Sequence, residues 1–184
     1  LLDATAPYKI FDRALSQHSK DGCFVLVGAY GGRAIIDQDL FRLTHRYNSA
    51  FLYRPDGTQA AEQYNKIHLV PFGEFLPFKN SFPPLHKLLM KLTPYDYDYT
   101  LDAGTEYTVF QMSLHRGQRS KTYKFSVMIC YEGTIPVIAR RFALDSSGQK
   151  RLDWLVNISN DGWFVKFKNG KVFPSTELQQ HAAI

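Results

Sequence analysis

VMICYEGTIP, residues 127–136, is the stretch whose reading decides the fold. An apolar run stops at Cys130; Tyr131, Glu132 and Gly133 follow; Thr134 and Pro136 then open a helical pattern over 134–144. Thr134 can cap that helix, proline suits an early helical position, and Arg140 and Arg141 fall near its C-terminal end. The pattern predicts a strand that turns directly into a helix. Such a corner places its turn residue at the end of a sheet and aims helix N–H groups at whatever binds there. Cys130 then has two readings. It is a small apolar residue finishing a strand, or it is a thiolate nucleophile stabilised at a helix start. This segment alone leaves both open.

Working outward, the same kind of element recurs. GCFVLVGAY (22–30) is a continuous apolar run closed by Gly31-Gly32, and DWLVNIS (153–159) is another, so both read as buried strands. Segments 47–54 and 59–66 flank Pro55-Asp56-Gly57, a hairpin signal. Further strands are expected at 106–114 and 122–130, joined by HRGQRSK. Residues 6–19 read as a helix with Ile10, Phe11 and Leu15 at helical spacing, and STELQQHAAI (175–184) opens another with a capping pattern. Residues 71–105 are irregular and proline-rich, with a short amphipathic helix in PLHKLLMKL (84–92). Apolar strands separated by helices predict a layered α/β sandwich.

The bulk numbers limit the functional classes. A chain of 184 residues suits one domain with a sizeable core. The net charge of +5 comes from scattered basic residues; the nearest thing to a run, KFKNGK (166–171), reads as a solvated loop, so no nucleic-acid partner is expected. Cys23 and Cys130 suggest no disulfide framework, and no metal-ligand spacing is present. No stretch reaches the roughly 18 apolar residues needed to span a bilayer. LLDATAPYKIF at the N-terminus lacks the pattern of a signal peptide.

Two more segments carry residues suited to chemistry. In YNKIHLVPFGEF (64–75), Lys66 precedes a short apolar stretch and then Glu74. A lysine drawn into an apolar cleft beside a carboxylate can stabilise developing negative charge; a surface lysine at a strand end is the other reading. In NISNDGWF (157–164), Asn, Ser and Asp suit a tight turn that presents Trp163 and Phe164.

Taken in order, NKIHLVPFGEF, ICYE and NISNDGWF resemble the nitrilase superfamily of carbon–nitrogen hydrolases. HLVPFGE and SNDGWF are closest to its apolipoprotein N-acyltransferase branch. The resemblance runs from about residue 22 to the end. It implies a four-layer αββα sandwich and a Glu-Lys-Cys triad, with Cys130 as nucleophile, Lys66 as the triad lysine and Glu74 as an additional glutamate. Tyr131 and Glu132 match the residues that support the site. The family's Pro-Glu-Thr-like motif, which carries the triad glutamate, has no match here. Residues 1–184 are therefore expected to form a partial nitrilase-like domain, lacking that strand and motif and the C-terminal part, and inactive in isolation.

The resemblance further implies acyl transfer through a cysteine thioester, from a phospholipid to the N-terminal amine of a diacylglyceryl-modified lipoprotein, without a cofactor or metal. It implies a bacterial inner-membrane protein, with this domain facing the periplasm or cell exterior and touching the membrane surface. Segment 76–105 matches an arm over the site, so Phe78, Phe82, Leu85, Leu88 and Leu89, with Leu76 and Leu92, are expected to meet acyl chains or lipid, and Trp163 to line the same entrance. A thiol at Cys23 is expected to be buried in its strand. Two alternatives stand beside this reading: a soluble amidase of the same superfamily that hydrolyses a small amide, and a non-catalytic domain that keeps the fold for binding.

Overall fold

The structure is a computed structural model that describes residues 6–37, 40–79, 81–93, 97–160, 165–168 and 171–174. Helix α1 (Ala6–Ser19) leads into an antiparallel sheet of β1 (Val25–Asp37), β2 (Leu40–Tyr53) and β3 (Gln59–Asn65). The β2–β3 turn is made by the residues that announced it. Asp56 accepts from the backbone N–H and hydroxyl of Thr58, and Gly57 takes φ 86°, a left-handed conformation that costs glycine little. After α2 (Pro83–Met90), a second sheet is formed by β4 (Phe110–Arg116), β5 (Arg119–Ile129) and β6 (Trp154–Ile158). There β5 pairs antiparallel with β4 and parallel with β6. A 3₁₀ turn (Cys130–Thr134) and α3 (Pro136–Ala143) make the crossover. A further hairpin joins β7 (Val165–Lys168) and β8 (Lys171–Pro174).

The two three-stranded sheets face each other. Ala50 and Leu52 of β2, Ala60 and Tyr64 of β3, Phe110 of β4, and Phe125, Val127 and Ile129 of β5 form one buried cluster, joined by Ile138 and Phe142 of α3. Phe142 meets Tyr64 edge-on at 5.4 Å, which ties α3 to the first sheet across the core. Each such buried aromatic contributes roughly 1.5–3 kcal/mol. On the far side, α1 docks on the first sheet: the Tyr53 hydroxyl donates to Asp12 (2.7 Å) and the Ser16 hydroxyl to the Gly57 carbonyl (2.7 Å). The order is α1, sheet, sheet, α3, which is the expected nitrilase-type αββα layering.

Several expectations need correction. The strand read over 22–30 starts later, at Val25, and runs through Gly31 and Gly32 to Asp37. Gly31 is no stop signal: a Cβ there would lie 2.4 Å from the Ser49 hydroxyl and 2.6 Å from the Gln63 amide, so glycine makes room for side chains of β2 and β3. Neither β1 nor β6 is fully buried; among the described residues both pair on one side only, and parts of each face solvent. Cys23 precedes the strand and is exposed, its thiol near the His18 carbonyl. The second hairpin is tighter than expected. Gly117 at φ 61° lets β4 and β5 meet at Arg116 and Arg119, while 106–109 lie outside any strand. Of KFKNGK, residues 166–168 lie in β7 and Lys171 in β8, so its described residues belong to paired strands. Trp163, Phe164 and the helix expected at 175–184 lie outside the described residues. No helix among the described residues is long and apolar enough to cross a membrane.

Candidate active site

Cys130 sits where the sequence placed it, at the C-terminal end of β5, but the corner is sharper than a strand running into a helix. Its φ is +55°, a left-handed conformation that costs a residue with a Cβ roughly 1–2 kcal/mol. Helical turning begins at Cys130 itself as a 3₁₀ turn, and α3 follows at Pro136. The strain turns Cys130 out of the sheet at the carboxyl end of a parallel strand pair, where open α/β sheets bind their ligands. Its side chain is half-buried. On β6, Asn157 lies beside Met128 and donates its amide to the Cys130 carbonyl at 3.3 Å. Gly133 makes room for this, because a Cβ there would come within 2.5 Å of the Asn157 amide nitrogen.

Lys66 follows β3 and is only 1% exposed. Its ammonium donates to Glu74 Oε2 at 2.6 Å. A buried lysine needs such a partner, since an unpaired charge there would be expelled or neutralised. Glu74 in turn accepts from the Val70 N–H (2.8 Å) and the Asn48 side-chain amide (2.8 Å). Asn48 also accepts the Lys66 N–H through its carbonyl (2.8 Å), closing a ring of three residues, Lys66, Glu74 and Asn48. Close packing extends to Gly104, which donates its N–H to the Lys66 carbonyl, and a Cβ there would strike the Asn65 carbonyl at 2.1 Å.

Glu132 joins the two segments. It is fully buried. One carboxylate oxygen accepts from the N–H groups of Ile67 and His68, both at 2.9 Å; the other accepts from the Ile129 N–H at 2.9 Å. The Tyr64 hydroxyl donates to both oxygens at 2.8 Å. The residues just after Lys66 and the residue just before Cys130 are thus fastened to one carboxylate. Burial, then the adjacent charge and hydrogen bond of Glu132, push the Tyr64 hydroxyl far above its ordinary pKa, so it stays a donor. Above this clasp, Tyr131 is 50% exposed and its ring stacks with that of His68 at 6.2 Å.

The carboxylates are spent on structure. Glu74 holds Lys66, and Glu132 holds backbone, so neither is free to take a proton from a thiol. Among the described residues, no group of three or more His, Cys, Asp or Glu could hold a metal ion. A cleft of about 930 Å³ opens beside the site, between Thr44–Arg46, Ile67–Leu69 and the segment 71–103. Neither Cys130, Lys66 nor Glu74 lines it.

The segment expected to meet lipid splits in two. Phe78, Phe82, Leu88 and Leu92 are exposed; Leu85 and Leu89 are half-buried; Leu76 is buried and belongs to the core side of the arm. Three residues around the site were not foreseen: Asn48, Tyr64 and the bracing role of Asn157. Their signal was weak, since each acts on a partner distant in sequence.

The chain as a whole is similar to known proteins. A family model described as carbon-nitrogen hydrolase matches residues 9–169. The chain belongs to the carbon–nitrogen hydrolase family. It is similar to the apolipoprotein N-acyltransferase of Bdellovibrio bacteriovorus, 34% identical over 157 residues, which cover 85% of this chain and 24% of that protein. It is also similar to apolipoprotein N-acyltransferase 2 of Treponema denticola, 36% identical over 118 residues, covering 64% of this chain and 20% of that protein. The chain therefore spans about a quarter or less of these relatives. Among solved structures, a mutant of the amidase from Nesterenkonia sp. AN1 in complex with butyramide aligns with 86% of this chain and 44% of its own, at TM-score 0.45 and 15% identity.

Proposed function

We propose that residues 1–184 form part of the extracytoplasmic catalytic domain of a bacterial apolipoprotein N-acyltransferase anchored in the inner membrane. The observation that carries this reading is the Glu132 clasp, which fixes the Lys66 loop and the strained Cys130 corner to one buried carboxylate. The similarity to proteins of that name supports the choice of branch.

In this reading the Cys130 thiol loses its proton to a carboxylate of the whole protein, and its sulfur attacks an ester carbonyl of a phospholipid. Lys66 and backbone N–H groups at the start of the 3₁₀ turn stabilise the oxyanion. The ester oxygen leaves with the lysophospholipid, and the acyl group remains on sulfur as a thioester. The N-terminal amine of a diacylglyceryl-modified lipoprotein then attacks that carbonyl, forming an amide and returning the thiol. Tyr131 flanks the mouth, and Phe78, Phe82 and Leu88 meet acyl chains or the membrane surface, with Leu85 and Leu89 behind them. The isolated chain is inactive for want of the base.

The test is intact-mass spectrometry of the full-length protein after incubation with phosphatidylethanolamine. A fatty-acyl increment mapping to Cys130 is expected. Absence of any adduct, with Cys130 still readily alkylated, would replace the acyltransferase by an amide hydrolase acting on a small substrate.

A further inference from the structure

Outside the Cys130 corner, the C-terminal end of α3 carries an open cavity of about 560 Å³, within the size range of small-molecule sites. Arg140, Arg141 and Arg151 line it, and among the described residues Asp145 is the only carboxylate that does. Tyr107 holds two of the guanidinium groups in place. Arg151 donates to its carbonyl (3.0 Å), and Arg141 donates to its hydroxyl (3.2 Å) while lying 6.0 Å from the ring centre. Both partners are uncharged, so neither arginine is neutralised by them. Arg140 meets no acceptor among the described residues.

Asp145 offsets part of this charge, its carboxylate acting on Arg151, and leaves three guanidinium groups against one carboxylate at the cavity. Its Oδ1 accepts from the Ser147 N–H (2.9 Å), the Ser147 hydroxyl (2.6 Å) and the Gln149 N–H (2.9 Å). These bonds fold residues 145–149 into a tight turn, with Gly148 at φ 79°, that walls one side of the cavity. Basic residues at a helix C-terminus have an ordinary explanation in the helix dipole, and that covers Arg140 and Arg141. It does not cover Arg151, which comes from the loop beyond the turn and is held facing the same space.

We propose that this pocket binds a phosphate group. Three guanidinium groups around one small space match the planar, two-pronged recognition that arginine offers phosphate oxygens. The phosphate belongs either to the headgroup of an anionic phospholipid or to a soluble phosphorylated compound. The pocket shares no residue with the Cys130 corner, so its fate is independent of the acyltransferase reading.

The experiment is arginine labelling of the 184-residue chain with phenylglyoxal, mapped by mass spectrometry, with circular dichroism confirming the fold of every variant. Inorganic phosphate should protect Arg140 and Arg141 better than chloride at equal ionic strength. Protection by phosphatidylglycerol vesicles, absent with phosphatidylcholine vesicles, assigns the headgroup; protection by inorganic phosphate without any from vesicles assigns a soluble ligand. Arg140→Gln, at an exposed position, should raise the phosphate concentration needed to protect Arg141 about tenfold, the scale of one charge-assisted hydrogen bond. Arg151→Lys, which keeps the charge but loses the fork, should weaken protection in the same direction. Equal labelling in phosphate and chloride, and on both vesicle types, overturns the proposal, as does an Arg140→Gln chain protected like the parent.

Discussion

At the Cys130 corner, every buried polar side chain among the described residues has a hydrogen-bond partner. A few residues away, the arm turns Phe72, Phe78, Phe82, Leu88 and Leu92 toward solvent. The corner takes its rigidity from polar bonds between distant segments, drawn tight around Glu132 and Glu74. The arm is held mainly at its ends: Leu101 donates to the Glu74 carbonyl, and Arg46 donates to the carbonyls of Asp98 and Thr100. Phe72 and Phe78 even adopt φ of 61° and 70°, conformations that bulky residues populate only when neighbouring bonds enforce them. The difference fits a division of labour. Acyl-transfer chemistry needs fixed geometry, whereas an exposed apolar patch of this kind needs a partner that is apolar itself.

The sharpest way to break the comparison is at the corner. Cys130→Ala in the full-length protein should abolish both the acyl adduct and turnover, while melting within a few degrees of the parent; an adduct on the variant would remove Cys130 from the role of nucleophile. Lys66→Met should follow, lowering the rate of adduct formation by about 10²–10³, the usual cost of losing one oxyanion donor. Because Met leaves Glu74 with only Val70 and Asn48, a stopped-flow measurement should show the loss in the acylation rate rather than in phospholipid affinity. A pure loss of affinity would argue against the oxyanion role.

Glu132→Gln tests the clasp as structure. The amide keeps one acceptor oxygen but sets an NH₂ against backbone donors that the carboxylate had satisfied. Leaving buried donors unmet should lower stability by about 3 kcal/mol, read by chemical denaturation of the purified chain. A change below about 0.5 kcal/mol, the range of ordinary surface substitutions, would mean the clasp holds nothing together.

That clasp also marks where the sequence stops being readable. Cys130, Lys66, Glu74 and Glu132 stood out because they occurred in short, ordered motifs, and the lysine and glutamates because charge is costly to bury. The bonds that organise them were not visible, because Tyr64 meets Glu132 across 68 positions and Asn48 meets Glu74 across 26. The same limit misled the reading of Gly31. Locally a glycine pair looks like a strand end, and only the side chains of Ser49 and Gln63, brought alongside by sheet pairing, show why no Cβ fits there. The Pro55-Asp56-Gly57 turn and the helix starts, whose causes are local, were read to within a residue or two, whereas the turn at Gly117 is tighter than its neighbours suggest. Strand burial was not, because an apolar run has the same composition whether one or both of its edges are paired.

On the arm the expected effects invert. Replacing Phe82, Leu88 and Leu92 together by serine should leave folding stability within about 0.5 kcal/mol, as for other exposed positions. The same variant should bind phosphatidylethanolamine vesicles several-fold more weakly, because each lost side chain removes roughly 1–2 kcal/mol of possible apolar contact. Destabilisation without any change in vesicle binding would mean that these side chains serve the core after all.

The smallest effect concerns how the arm is fastened. Partial burial of Asp98 opposes its charge, but hydrogen bonds from the Lys79 ammonium (2.8 Å) and from Thr100 outweigh it and hold the carboxyl at about 2, below the reference 3.8. A carboxyl depressed by folding stabilises the fold above its unfolded pKa, and that contribution fades as pH falls through the folded value. The fastening of residues 97–102 should therefore weaken between pH 3.8 and about 2. Hydrogen-exchange protection of these amides, corrected for the intrinsic rate, should fall across this window by a factor of a few. In Asp98→Asn it should be low already at neutral pH and flat through the same range. If parent and variant instead lose protection together, the acid sensitivity belongs to the fold as a whole, and the contrast between a fixed corner and an arm tied at its ends is weaker than the hydrogen bonds imply.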